Sequence, residues 1–251
     1  MITKLKFAKG NAKLGKTTAI FSLPAGHTCP AALACLSKSD KVTGKLTDGK
    51  ACQFRCYAAT GENLFKNIRI SRWRNFEALK ACKGVVEMAD LIERSLPVKN
   101  TKLVRIHASG DFYSQDYFDA WLLVARRKPS VVFYAYTKTL MFWIRRIDSI
   151  PSNMKLVASR GGKFDDLIGA YGLRNVTVVG TNPAESPECE AKRLKLPIDH
   201  DDTHAWKSEG NFALSLHGTQ PAGTPAAKAW HEIKTNGAGG YQADYFAHMK
   251  K

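Results

Sequence analysis

The sequence predicts a single α/β domain. In it, an N-terminal β-hairpin and a cysteine-rich loop lead into a partial or complete (β/α) TIM-like barrel with parallel strands. Three observations carry this prediction. From about residue 100 onward, short β-branched or aromatic runs alternate with amphipathic helical patterns, the rhythm of parallel βα units. The segments that follow those runs are small, polar and glycine-bearing or charged. Ahead of them, Cys29, Cys35, Cys52 and Cys56 crowd into one stretch. The chain has 251 residues, 44% of them hydrophobic, enough to bury the core of one good-sized domain. We divide it into a hairpin and cysteine loop (1–60), a basic helical segment (61–100) and the βα repeats (101–251).

The first element is the hairpin. Residues 10–17 read GNAKLGKT, which matches the letters of the phosphate-binding loop G-x-x-x-x-G-K-S/T. That loop needs a helix starting at its Gly-Lys-Thr, so that backbone N–H groups cradle phosphate. Here TTAIFSLP follows, a β-branched run stopped by proline, which makes a poor helix and a good strand. An ATPase is therefore disfavoured, and the glycines and asparagine of GNAKLG read as turn residues.

The strand runs into PAGHTCPAALACLSKSDKVTGKLTDGKACQFRCYAAT, with the spacing C-x5-C-x16-C-x3-C. Without a secretion signal, clustered cysteines point to a metal rather than to disulfides. Tight C-x2-C knuckles favour zinc. The wide, uneven spacing here suits a 4Fe–4S cluster, with zinc as the alternative. Cys82, in a helical pattern, and Cys189, in an acidic loop or helix start, read as plain small side chains.

Next comes LFKNIRISRWRNFEALK, where Lys66, Arg69, Arg72 and Arg74 interleave with Phe65, Trp73 and Phe76. Lys66, Arg69, Arg72, Trp73 and Arg74 suit phosphate contacts and base stacking. They equally suit an amphipathic helix with a basic outer face. The whole chain carries 38 Lys+Arg against 22 Asp+Glu, a net charge of +16. That balance implies an anionic partner, nucleic acid or a phosphorylated small molecule.

KLVRIHAS (102–109) then reads as a buried strand and SQDYFDAWLLVARRK as a helix. VVFYAYT, KLVAS, NVTVVGT and NFALSLHG are further strands, with helices around LMFWIRRI, KFDDLIGAYG and PAAKAWHEIK. In parallel α/β folds, functional groups gather in the loops at the carboxyl ends of the strands. Those loops bring Asp111, Lys138, Arg160, Asn182 and His217 to one expected rim. Asp111 is the acid–base candidate there, and Lys138 and Arg160 suit phosphate or carboxylate. His107, within a strand, reads as a core histidine. PIDHDDTHAW (197–206) packs Asp199, His200, Asp201, Asp202 and His204 into one loop. Such residues supply acid–base groups or ligate a divalent metal. Alternatively, Asp201 or Asp202 caps a helix and the rest is solvated.

No apolar run approaches the roughly 20 residues that span a bilayer, and the N-terminal MITKLKFAKGNAKLGK has no apolar core segment. A cytoplasmic protein without membrane contact is expected.

FSLPAGHTCP, LTDGKACQFRCYAA, RIHASGDF, FYAYTK, ASRGGK, IDHDDTHA and SLHGTQPAG resemble the bacteriophage family known as gene product 88. The resemblance covers most of the chain and implies a phage or mobile-element context. Its matching cysteines here are Cys29, Cys35 and Cys56, with Cys52 set apart. Three cysteines before a run of βα units also look like a distant relative of radical SAM barrels. Those enzymes hold a 4Fe–4S cluster with three cysteines and leave one iron for S-adenosylmethionine. The departure is plain: Cys52 and Cys56 fit the C-x3-C of the C-x3-C-x2-C signature, but Ala59 stands in the third place. A cluster must then recruit Cys29 or Cys35, and four ligands would leave no iron for the cofactor.

The leading expectation is an iron–sulfur protein that acts on, or binds, nucleic acid or nucleotides. Two alternatives belong to other classes. One is a non-catalytic nucleic-acid-binding module stapled by a structural metal. The other is a zinc-containing base-exchange enzyme with Asp111 as nucleophile.

Overall fold

The computed structural model describes residues 4–10, 14–15, 17–97 and 101–237. The hairpin is present: β1 (Ala8–Lys9) runs antiparallel to β2 (Thr18–Ser22), with Ala8 opposite Ile20. Thr18 begins a buried strand rather than a helix, as its β-branched run requires. Lys16, the lysine of the phosphate-loop pattern, lies outside the described residues.

Within the cysteine loop, β3 (Ser37–Ser39) and β4 (Leu46–Asp48) form a separate two-stranded sheet. Three helices follow, α1 (Tyr57–Leu64), α2 (Lys66–Lys80) and α3 (Val85–Ser95). Cys82 sits in the turn after α2 rather than inside a helix, its thiol donating to the Ala78 carbonyl at 3.4 Å. The βα run then unfolds in the expected order. It comprises β5 (Leu103–Ser109), α4 (Gln115–Arg127), β6 (Val132–Thr137), α5 (Leu140–Ile144), β7 (Met154–Ser159), α6 (Asp166–Ala170) and β8 (Asn175–Val179). The polar stretch before the last strand holds two short helices, α7 (Pro187–Arg193) and α8 (Thr203–Lys207). Ser186 caps α7 by accepting from the Cys189 N–H at 3.2 Å, with Pro187 as its first residue. The chain finishes with β9 (Phe212–Ser215) and α9 (Pro225–Asn236).

The main sheet has the order β1-β2-β5-β6-β7-β8-β9, and every neighbouring pair from β2 to β9 is parallel. Among the described residues β9 does not pair with β1 or β2, so the sheet stays open and the expected complete barrel is not formed. β1 already occupies the outer edge of β2, the edge that closure would use.

Side-chain alternation separates two faces. Val104, Ile106, Phe133, Ala135, Met154 and Leu156 pack with Leu91 and Ile92 of α3 and with Tyr117 and Trp121 of α4. Tyr134, Val157, Val176 and Phe212 point the other way, toward Ala205 and Trp206 of α8. One strand breaks the alternation. Between β2 and β5 the register slips after the Ile20–Arg105 pair, and His107 adopts φ 66. This bulge turns the His107 ring toward the helical side, against Phe21, Phe112 and Tyr117. Its Nε2 meets the Tyr117 hydroxyl at 2.9 Å, while Nδ1 is buried without a hydrogen-bond partner.

Burial lowers the His107 pKa from 6.5 to about 3. The unfolded chain takes up this proton near pH 6.5 and the native chain resists it down to about pH 3. The stability present above pH 6.5 is therefore lost as pH falls through that window, by up to about 1.4 kcal/mol per pH unit. His107→Asn, which tolerates a positive φ, is expected to flatten this slope between pH 4 and 6 in urea unfolding.

Candidate functional site

The cysteine loop crosses the carboxyl ends of the parallel strands and is fastened to several of them. At the exit of β2, Leu23 N–H donates to the Ser109 carbonyl and Ser109 Oγ donates back to the Leu23 carbonyl, both at 2.8 Å. The next residue, Gly110, has φ 86, and a Cβ there would lie 2.5 Å from Thr28 Oγ1. Only glycine allows the loop this close. At the end of β7, Leu33 and Ala34 N–H both donate to the Gly161 carbonyl, and Lys163 N–H donates to Ala31. At the end of β9, Gln220 pairs with the Arg55 backbone in both directions, at 2.7 and 3.2 Å. The His217 ring lies 4.4 Å from that of Tyr57.

The four expected cysteines behave differently. Cys29, Cys35 and Cys56 interact electrostatically with one another, whereas Cys52 does so with Cys35. Burial, then Asp111, Cys56 and Cys35, raise the Cys29 thiol well above its ordinary value. Burial and then Cys35 push Cys56 up to about 11, although the Ala59 and Ala58 N–H groups pull the other way. Cys52 turns its thiol away, donating to the Phe54 carbonyl at 3.2 Å. All six cysteines are free. Among the described residues, no three Cys, His, Asp or Glu side chains converge on a point suited to one metal ion.

Of the expected catalytic residues, Asp111 and Lys138 are buried and fully engaged. Asp111 Oδ1 accepts from Phe112 N–H at 2.7 Å, Thr137 Oγ1 at 2.7 Å and Thr139 Oγ1 at 3.2 Å, while Oδ2 accepts from Lys138 N–H at 2.8 Å. Burial nevertheless raises its pKa. Lys138 Nζ donates to Ser159 O at 3.0 Å, Ser159 Oγ at 2.8 Å and the Arg160 carbonyl. The carboxylate thus brackets β5 to β6, and the ammonium brackets β6 to β7. Arg160 is exposed, with its Nε on Asn175 Oδ1 at 2.9 Å. Asn182 lies apart, in a hollow beside α9.

The acidic–histidine segment divides too. His200 is exposed. Asp201 Oδ1 accepts from Thr203 N–H at 3.0 Å, while Asp202, at the N-cap of α8, makes no side-chain cap bond to the helix. His204 Nδ1 lies 3.6 Å from Asp199 Oδ1. Asp202 is buried and reaches across the inner face of the sheet to Arg105, at 2.6 Å.

On α2, Arg69 is buried and donates to the Lys41, Val42 and Glu62 carbonyls. Arg72 donates to Ala58 O and Glu62 Oε1. Trp73 packs 4.8 Å from His27. These three are committed inside the protein, whereas Lys66 and Arg74 stay on the surface. Sequence reasoning missed Arg105, Tyr57, Tyr134, Tyr136 and Glu62. The signal for Arg105 was present as a charge at an alternate position of an otherwise apolar strand.

A family model described as "Gene product 88" matches residues 3–235. The Gene 88 protein of Mycobacterium phage L5 is 33% identical over 138 residues, covering 51% of each chain. The Gene 88 protein of Mycobacterium phage D29 is 32% identical over 138 residues, covering 51% of this chain and 50% of its own. The chain thus spans about half the length of the curated relatives it matches. No solved structure matches.

The Asp111 bracket has a measurable weight. Asp111→Asn turns an amide donor toward groups that already donate, and leaving one of them unsatisfied costs about 1–3 kcal/mol. Chemical denaturation is expected to show that loss, and Lys138→Met to show one of similar size.

Proposed function

The chain belongs to the Gene product 88 family, and on that premise we propose a phage or mobile-element iron–sulfur protein that acts on, or binds, nucleic acid or nucleotides. The observation that carries this reading is the mutual interaction of Cys29, Cys35 and Cys56 over the carboxyl ends of the strands. Cys35 and Cys56 add to the resistance of Cys29 to ionisation, and Cys35 to that of Cys56, a cost that a bound cation removes.

The donor set fits a 4Fe–4S cluster held by Cys29, Cys35 and Cys56. A single zinc draws its sulfurs to about 3.8 Å from one another, given Zn–S bonds of about 2.3 Å in a tetrahedron. The thiols interact without converging in that way, and a cluster accepts wider spacing. Cys52, bonded to Phe54 O, stands outside the trio. Cys29, Cys35 and Cys56 would hold such a cluster, which would supply one-electron chemistry. The finer architecture suits this: six parallel strands in chain order read as a partial (β/α) barrel, with the cysteine loop leaving its first strand.

The chain's own residues divide the remaining work. Asp111 and Lys138 hold the strand ends rigid beneath the loop. Asp111 as the nucleophile of a base-exchange enzyme is not carried forward, because both its oxygens already accept hydrogen bonds. Arg160, exposed on the rim, binds phosphate or carboxylate. His217, against Tyr57, is an acid–base candidate beside the cysteine loop. Lys66 and Arg74 contribute backbone contacts to nucleic acid.

Anaerobic purification is expected to give a brown protein with iron and acid-labile sulfide. Cys29→Ala, Cys35→Ala and Cys56→Ala should each lose most of the iron, and Cys82→Ala should keep it. A colourless protein with stoichiometric zinc overturns the cluster. DNA binding should weaken steeply with salt, and Lys66→Gln or Arg74→Gln should each reduce the log–log slope by about one.

A further inference from the structure

Arg105 is a charged side chain on an inner face of aromatic and aliphatic residues, only 14% exposed. Burying an arginine costs several kcal/mol unless its donors are well met, and an apolar residue of similar volume would fill the same space. Its donors are met incompletely. One terminal nitrogen lies 2.6 Å from Asp202 Oδ2, but Nε is buried without a hydrogen-bond partner. Tyr134 donates to the same Asp202 oxygen at 3.1 Å. The guanidinium lies 5.4 Å from the centre of the Tyr136 ring, and the Tyr136 hydroxyl is also buried without a partner. Around the guanidinium, Arg105 Nε and the Tyr136 hydroxyl thus remain as buried donors beyond those that the Asp202 carboxylate meets.

That carboxylate does not belong to the sheet. Asp202 comes from the connection between β8 and β9, is 2% exposed and holds the left-handed φ 64, ψ 8. An aspartate tolerates that conformation at a cost, and such strain persists where the surroundings impose it. Above the pair, the Tyr57 hydroxyl donates to Ala108 O at 2.6 Å, and Tyr57 interacts electrostatically with both Arg105 and Asp202. Tyr57 follows Cys56 in the chain, so it links the buried pair to the cysteine loop.

We propose that Arg105, Tyr134 and Tyr136 form a binding site for an oxyanion, phosphate or carboxylate, of a ligand entering the open sheet, and that Asp202 fills this site as an internal surrogate. Entry of the ligand exchanges one anion for another, so Arg105 is never left unpaired. The displaced Asp202 moves out with α8, which is fastened by Arg174 at the His204 and Ala205 carbonyls. The inference stands whatever the cysteines hold.

The test uses the full chain with inorganic phosphate, adenosine 5′-monophosphate and succinate as probes. Asp202→Gly removes the carboxylate, and glycine accepts the left-handed backbone without strain. Phosphate or the nucleotide should bind this variant at least tenfold more tightly than wild type. Arg105→Gln in the same background should abolish the gain, and Tyr136→Phe should reduce it. Succinate binding in place of phosphate supports the site and assigns it to carboxylates. In wild type, a saturating probe should speed hydrogen exchange over residues 199–207. If the variant does not fold, Asp202→Asn and the wild-type exchange carry the test. Equal affinity in both proteins, a gain that survives Arg105→Gln, or wild-type exchange unchanged at saturation overturns the proposal and leaves the pair a structural lock.

Discussion

A parallel sheet whose strands follow one another in chain order sends every crossover over the same face. Helices α3 to α7 accordingly cover one side of β5 to β9, and nothing in the crossover rule covers the other. Much of the rest of the structure answers that constraint. The inner face is filled with tyrosines and phenylalanine, and α8 folds back from the β8–β9 connection to shield them. A buried ion pair between Arg105 and Asp202 fastens this cover to the sheet. The same constraint leaves the carboxyl ends of the strands to the cysteine loop, which lies across them.

The loop's hold on those strand ends consumes much of the polar chemistry there. Asp111, Lys138 and Gln220 each spend their side chains on backbone or hydroxyl groups of neighbouring loops, and Asp165 accepts from the Gly161 N–H of its own loop. Residue types that look catalytic in a list thus act as fasteners in place. The benefit is rigidity beneath the cysteines, in a region whose backbone has few ladder hydrogen bonds of its own. At this rim Arg160 is exposed, whereas the lysine and aspartate are buried.

Local pattern made much of the fold legible. The β-branched run after GNAKLGKT declared a strand, and the hairpin followed from it. The alternation of apolar runs with helical faces declared β5 to β9 and their crossovers, because burial on both faces of a parallel strand leaves a continuous apolar signal. The Ser186–Pro187 start of α7 was not read, because its polar surroundings look like loop. The basic helix was legible as a helix but not in its orientation: Arg69 and Arg72 turn inward because Glu62 and unpaired loop carbonyls need their donors. Charge alone suggests solvent for such residues, and only the neighbours reverse it.

Taken by itself, the sequence determined the α/β class, the order of elements and the clustering of cysteines at the exit of the first parallel strand. Each rests on residues close together in the chain, where propensity and periodicity act. Tertiary structure alone decided that the sheet stays open, that Asp111 and Lys138 bind neighbouring loops, and that Asp202 meets Arg105. Those outcomes depend on pairings between residues far apart in sequence, whose energies come from burial and geometry that no local pattern records.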